Sequence, residues 1–432
     1  MTATGRKISK AISIAFLFLV ICVLFAFSFL SLENARNVPL NDSDLIFARP
    51  DIPVESNAYY ILLKATNELY WPAKLDNKLG DLSQNTNWND SLATDVLKRN
   101  QACLSSFDEA MRLPFLLVPQ VKSGDDDISY VSGWKRLALL KSIQTISLHR
   151  AKDDNEAFDE AFELIKFGHR TEDSGGPVIH YLVGSGIKAI GLRRIQQMTA
   201  DTTLTEADLS QAIGELNDLG PNQEGLTNAL KVEYSTQRSL IDDFAAGKIP
   251  DTTNTDLERA MTAVAMKPLL NAKKTKMEFA EGDRFLFNNF SKPFAEIPWP
   301  NRPYKNVETN DSFVDRLASG NAVGGVLFAM AEPALDGLAR AKCKEDVNVT
   351  ATQLLLALKI YKMRHGKLPA SLSELVPEFF PAIPLDDFDG KPFRYSPEKK
   401  IIYSVGPGLK DLGGKERENY LEEYNLPFRI EF

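Results

Sequence analysis

The longest apolar run in the chain, residues 11–32 (AISIAFLFLVICVLFAFSFLSL), carries no charge and follows Arg6, Lys7 and Lys10. Twenty-two residues at about 1.5 Å each span the roughly 30 Å hydrocarbon core of a bilayer, so the pattern predicts a transmembrane helix. The three leading cations predict that residues 1–10 form a cytoplasmic tail and that residues 33–432 lie on the far side. A cleavable leader would have an apolar core of about 7–15 residues and a small-x-small site. This run is longer, and Phe29, Leu30, Leu32 and Glu33 supply no such site, so a retained signal anchor is expected over a cleaved one. Lipidation at Cys22 is disfavoured because Ile21 stands where a small residue is needed. The next apolar stretch, 322–331, is short, is stopped by Glu332-Pro333, and reads as core.

Beyond the anchor the pattern is mostly helical. Residues 33–56, with Pro39, Pro50 and Pro53 among polar neighbours, read as a linker. Residues 57–70 form the first helical pattern, ended by Pro72; residues 73–90 are Asn-, Asp- and Lys-rich and read as loop. Leu139, Ile143 and Ile146 recur at helical spacing after Trp134, and the turn Lys152-Asp153-Asp154 leads into Phe158, Ala161, Phe162 and Ile165 on a second face. Gly168, with Gly175-Gly176-Pro177 beyond it, reads as that helix's stop, and Val183, Ile187 and Ile190 mark a third. Thr205 and Asp208 form a capping-box pattern ahead of Leu209, Ala212, Ile213 and Leu216. Short connections between such helices predict antiparallel neighbours, a helical hairpin array or bundle. No fixed 34- or 40-residue repeat supports a solenoid. Residues 288–304 interleave four prolines with Phe294, Trp299 and Tyr304 and read as a loop held down by its aromatics.

From Thr350 the style changes. Ala351, Leu354, Leu355, Leu358 and Tyr361 make an apolar helix face that stops at His365-Gly366. Ser371 starts a short helix over 372–376, Asp389-Gly390 makes a tight turn, and residues 392–396 and 400–405 alternate as two strands paired across 396–399. The fold class expected is therefore mainly α, with a small C-terminal α+β unit. The domains expected are the tail 1–10, anchor 11–32, linker 33–56, helical ectodomain 57–345 and C-terminal unit 346–432.

Roughly 65 residues of that end resemble the soluble domain of the type II secretion major pseudopilin. The pattern runs through Tyr361, His365-Gly366-Lys367-Leu368-Pro369, Leu372 and Leu375, then Pro384, Asp386-Asp387-Phe388, Gly390-Lys391-Pro392-Phe393 and Tyr395, and closes on Tyr403-Ser404-Val405-Gly406 and Gly413-Gly414. The same ending occurs on large bacterial envelope proteins with an N-terminal anchor and a helical middle, which this chain resembles. The resemblance implies a calcium ion in the loop after Ser404-Val405-Gly406. The first aspartate of that family's loop is missing here, which favours a loop closed by hydrogen bonds; Asp411, Glu416 and Glu418 are the candidate calcium ligands, few for an ion that takes about six to eight oxygens. The 320 or so residues between anchor and C-terminal unit, and the lack of a prepilin cleavage motif, argue against polymerisation into a pilus.

Composition changes this picture little. The net charge of −8 includes the +3 of Arg6, Lys7 and Lys10, so the remainder carries −11, which argues against a nucleic-acid partner. Cys103 and Cys343 are either one long-range disulfide or two buried thiols. His169 and His180 flank Arg170–176, where His169 with Glu172 or Asp173 would make an acid–base site in a polar pocket; a solvated turn is the plainer expectation. Ser396 and Lys399 match S-x-x-K without its companion elements, Gly184-Ser185-Gly186 lacks the nucleophile-elbow frame, and no phosphate loop is present. Asp125, Asp126 and Asp127 read as a solvated loop, and Lys273, Lys274 and Lys276 as a wet helix face. No catalytic residue and no cofactor is expected. The function expected is a tethered extracytoplasmic scaffold or interaction module on the bacterial cytoplasmic membrane, touching lipid through residues 11–32 and an envelope protein through its body. The rivals are an extracytoplasmic hydrolase whose site assembles only in three dimensions and a component of a secretion machine.

Overall fold

The computed structural model describes residues 40–122, 126–248, 269–299, 321–417 and 423–432, so the expected tail and anchor lie outside the described residues. The described chain is mainly helical with one small antiparallel sheet. Its described residues divide into two compact units, one built from those within 40–46, 234–285 and 299–334 and the other from those within 47–233, 286–298 and 335–432.

In the larger unit, Asn57 starts helix α1 (Ala58–Glu68) by accepting from the Tyr59 N–H, and its side chain also exchanges hydrogen bonds with both backbone groups of Leu117. The stretch 73–90, expected as loop, contains helix α2 (Asp76–Ser83), which buries Leu79 and Leu82 beneath a polar surface. Helices α3 (Asp90–Arg99) and α4 (Gln101–Arg112) follow, then the long α5 (Tyr130–Arg150), α6 (Asp154–Glu172) and α7 (Val178–Met198). Their shared core is aromatic: Trp134 and Tyr130 pack edge-on to Tyr59, and Phe107 meets Phe167 at right angles with 5.2 Å between rings. Helix α8 (Glu206–Asp218) has the capping box read from Thr205 and Asp208, and Leu209, Ala212, Ile213 and Leu216 are buried as the spacing required. Helix α9 (Gln223–Ala245) comes next.

Gly168 does not end α6. It lies inside the helix where α6 and α7 cross antiparallel, and a Cβ there would stand 2.6 Å from the Gly184 carbonyl oxygen. Gly184 and Gly191 are pinched in the same way, the latter against the Ala161 carbonyl oxygen at 2.7 Å. Three glycines thus let two backbones approach more closely than side chains would permit.

In the smaller unit, helix α10 (Ala272–Phe287) and the residues 40–46 carry much of the described structure. The proposed linker is not free there: Leu45 is fully buried, and the buried Asp42 carboxylate accepts the Tyr234 hydroxyl at 2.8 Å. Lys276, read as part of a wet face, is buried and paired with Asp242 at 2.5 Å.

Helix α11 (Ala322–His365) corrects two expectations. It runs through Glu332 and Pro333, where the sequence predicted a stop, and it crosses the expected 345/346 domain boundary without a break. By length and composition it is long enough and apolar enough to cross a membrane, but Lys342, Glu345 and Asp346 are all buried in the body and paired there. It ends as read, with Gly366 at φ +70° and its N–H on the Lys362 carbonyl. Strands β1 (Arg394–Ser396) and β2 (Ile401–Ser404) form the expected hairpin, with Ser396 opposite Ile401. A third strand, β3 (Leu426–Arg429), adds to the other side of β2, with Ile402 opposite Phe428. Of the aromatic loop, Phe294 is buried, 6.2 Å from the Phe388 ring, and its N–H donates to Asp387; residues 300–304 lie outside the described residues. Cys103 and Cys343 are both buried and free.

Candidate functional site

The close glycine crossing of α6 and α7 places Lys188 where no water reaches it. Its ammonium group has three N–H donors and uses all three: on Glu172 at 2.8 Å, on Glu345 at 2.5 Å and on the Gly220 carbonyl at 3.2 Å. The Tyr181 hydroxyl donates to the other Glu345 oxygen at 3.0 Å. Burial, and then the Glu345 charge, push the Glu172 pKa well above the carboxylate range. Burial works against the Lys188 cation, but Glu345 and Glu172 outweigh it and raise its pKa. The cluster is sealed and every Lys188 donor is used, which makes it a structural joint between α6, α7 and α11, although the second Glu172 oxygen has no hydrogen-bond partner among the described residues.

The turn around residues 171–177, expected to be solvated, is largely buried, and of the two carboxylates considered for an acid–base pair only Asp173 stands by His169. Glu172 faces Lys188, away from any acid–base role with His169. His169 lies 3.5 Å from Asp173 on its own helix, and burial first, then Lys188, lower its pKa. His180 is fully buried among Tyr130 and Trp134, shares a 2.8 Å hydrogen bond with the Tyr130 hydroxyl, and has its pKa pushed down to about 4 by burial. No carboxylate stands beside it. Gly176 packs directly on its ring.

The ionisable groups that open onto a cavity are elsewhere, at the C-terminal ends of α5 and α7. A cavity of about 670 Å³, within the range of small-ligand sites, is lined by His149, Arg150, Lys152, Arg194, Asp201 and Glu431, among others. His149 is clamped: Nδ1 meets Asp154 at 2.7 Å and Nε2 meets Asp201 at 3.0 Å. Asp154 is buried, and burial opposes its charge; the Thr203 backbone N–H, His149 and the Thr203 hydroxyl together still hold its pKa below the usual value. Lys152, 2.9 Å from Asp201, keeps that carboxylate's pKa low as well. With a carboxylate on each ring nitrogen, the imidazole is held from both sides and neither nitrogen faces the cavity free of a partner.

Arg194 is the exception on this wall. Its side chain is 2 % exposed, yet Nε and Nη1 have no hydrogen-bond partner among the described residues and no carboxylate pairs with it. Burial, with Arg193 alongside, pushes its pKa down to about 10, still far above neutrality. An uncompensated buried ion costs roughly several kcal/mol, so an unpaired guanidinium is a feature that calls for a cause.

The C-terminal loop is closed by an amide. The Asn425 side chain donates to the Val405 and Lys410 carbonyls and accepts from the Leu412 and Gly414 N–H groups, at 2.8–3.0 Å. Of the calcium candidates, Asp411 accepts from the Tyr403 hydroxyl at 3.1 Å and from Gly413, Glu416 pairs with Arg429 at 2.5 Å, and Glu418 lies outside the described residues. Among the described residues no three His, Cys, Asp or Glu side chains gather as a metal site. Asp386 organises the unit instead: fully buried, it accepts from Phe388, Ser404, Val405 and Arg394.

The remaining motifs are local turns. The Ser396 hydroxyl donates to Glu398 and accepts from the Lys399 N–H in the hairpin turn. Asp126 and Asp127 accept backbone N–H groups of Lys122 and Ser129, and Asp125 lies outside the described residues. Sequence reading passed over His149 and Arg194 because their partners, or lack of them, come from segments about 50 residues away or from nowhere in the sequence. The one hint was His149 five residues before Asp154, across a tight turn. No family model matches the chain, and neither a curated protein nor a solved structure matches it.

Proposed function

We propose that this chain is a bacterial envelope binding module, tethered to the cytoplasmic membrane by residues 11–32 and holding its helical body outside the cytoplasm for a protein partner. The observation that carries the reading is a groove of about 490 Å³ beside α5 and α7, lined largely by Leu139, Leu182, Val183, Ile187 and Ile190. Leu182 and nearby Ile179 on α7 are 38 % and 40 % exposed, a placement that is costly in water and useful at an interface. A hydrolase would need a free base in an open cleft, whereas each histidine near a carboxylate is spent on holding the fold.

The test is photo-crosslinking in intact cells from a benzophenone residue placed at Leu182 of the full-length protein, with the adducts identified by mass spectrometry. A discrete protein adduct is expected that disappears on Val183→Lys and persists when Leu385, exposed elsewhere, is changed to Lys. A protein that crosslinks to nothing, or equally from both places, would remove this function. Release from membranes in alkaline carbonate would remove the tether.

A further inference from the structure

The wall that holds His149 also contains a ligand site whose chemistry differs from that of the apolar groove, with Arg194 on the lining of both. Four cationic or imidazole groups gather there, and two of them, His149 and Arg150, sit in the last turn of α5, whose negative end favours positive charge. Three of them are answered from within the chain. Lys152 sits on Asp201 at 2.9 Å, His149 lies between Asp154 and Asp201, and Arg150 stands 3.8 Å from Asp90 and over the Trp88 ring. Helix carbonyls favour a cation at a distance, but none lies within reach of the Arg194 Nε and Nη1 groups. A guanidinium presents a rigid planar fork of donors, and the partners that match it are the oxyanions, carboxylate or phosphate.

We propose that this cavity binds a small oxyanion-bearing molecule, whose carboxylate or phosphate group docks on Arg194 between the C-terminal ends of α5 and α7. The exposed carboxylate of Glu431 on the same lining would repel a polyanion, so the ligand carries one or two negative charges with the rest of its body neutral or cationic. The remaining volume is large enough for such a body. This adds a ligand class to the binding role; Arg194 borders the apolar groove as well, and the two readings are separated because the anion titration reads unfolding and the groove is read by crosslinks at Leu182.

The experiment is thermal unfolding of the full-length protein in detergent, at constant ionic strength set with sodium chloride, titrated in parallel with inorganic phosphate and with succinate. A binding anion raises Tm saturably, with half-effect at or below about 1 mM, and whichever probe acts identifies the headgroup. Arg194→Met is expected to unfold at a higher temperature than wild type without anion, and to need at least about tenfold more anion for any response. Ala200→Phe, which leaves Arg194 in place and fills the lining, is expected to lose the response too, and decides the matter should Arg194→Met fail to fold. The site is overturned if neither anion moves the wild type beyond the chloride control. It is equally overturned if either variant responds as the wild type does.

Discussion

Helix α7 buries a lysine and an arginine six residues apart and treats them in opposite ways. At Lys188 every donor has an acceptor, on Glu172, Glu345 and the Gly220 carbonyl, so the middle of the helix is closed to anything outside. At Arg194 the same helix buries a guanidinium with no acceptor at Nε or Nη1, beside a cavity. Burial alone therefore does not separate these two cations: whether acceptors meet their donors does. His180, two turns before Lys188, shows a third solution, in which a buried base simply stays neutral.

The comparison can be broken at its closed end first. Lys188→Met strands Glu172 and Glu345 in the core, and urea unfolding should show a loss of about 3–5 kcal/mol, the cost of breaking a buried pair on one side. A loss under about 1 kcal/mol would mean that the cluster is not sealed. Next, the neutral histidine predicts a pH dependence. His180 titrates near 4 when folded and near the model-peptide value of about 6.5 when unfolded. Its folded pKa is the lower one, so the unfolded chain takes up the proton first. The stability it protects is full above about 6.5, and roughly 3 kcal/mol of it is lost progressively as pH falls to about 4. His180→Gln should lack that component, which paired unfolding curves at pH 7.5 and 4.5 would reveal.

Gly184→Ala would force α6 and α7 apart, because a Cβ there meets Glu172 Cγ and the Gly168 carbonyl oxygen at 2.6 Å. A destabilisation of about 1–3 kcal/mol is expected, and it should fall in a double-mutant cycle with Lys188→Met, since both act through the same crossing. Smallest, and opposite in sign, is the open end: Arg194→Met should raise anion-free stability by about 1 kcal/mol. A destabilised Arg194→Met protein would place Arg194 with Lys188 as a structural cation and erase the contrast.

Features legible in the sequence are the ones encoded within a few residues. The Thr205–Asp208 box, the stop at His365-Gly366, the Asp389-Gly390 turn and the hairpin across 396–399 each depend on neighbours three to five positions away. Misreadings arose where a local signal had a distant purpose. Gly168 looked like a helix stop and is a contact point, because its reason lies on α7. Residues 76–83 looked like loop because their only large apolar residues turned inward are Leu79 and Leu82, on a polar stretch. Strand β3 contains Pro427, which argues against a strand in the sequence, and only its pairing with β2 makes it one. His149 was passed over and His180 over-read for one reason: a histidine's role is set by what stands across from each ring nitrogen.

Taken alone, the order of residues determined the capped start at Thr205, the glycine stop at Gly366, the hairpin, the acidic balance of the body and a run able to span a bilayer, since each follows from short-range geometry or from summed composition. Folding decided which charges meet: it brought Glu345 from more than 150 residues away to Lys188, and brought nothing to Arg194. Electrostatic compensation depends on distance in space, and the chain's linear order carries no record of that distance until the helices have packed.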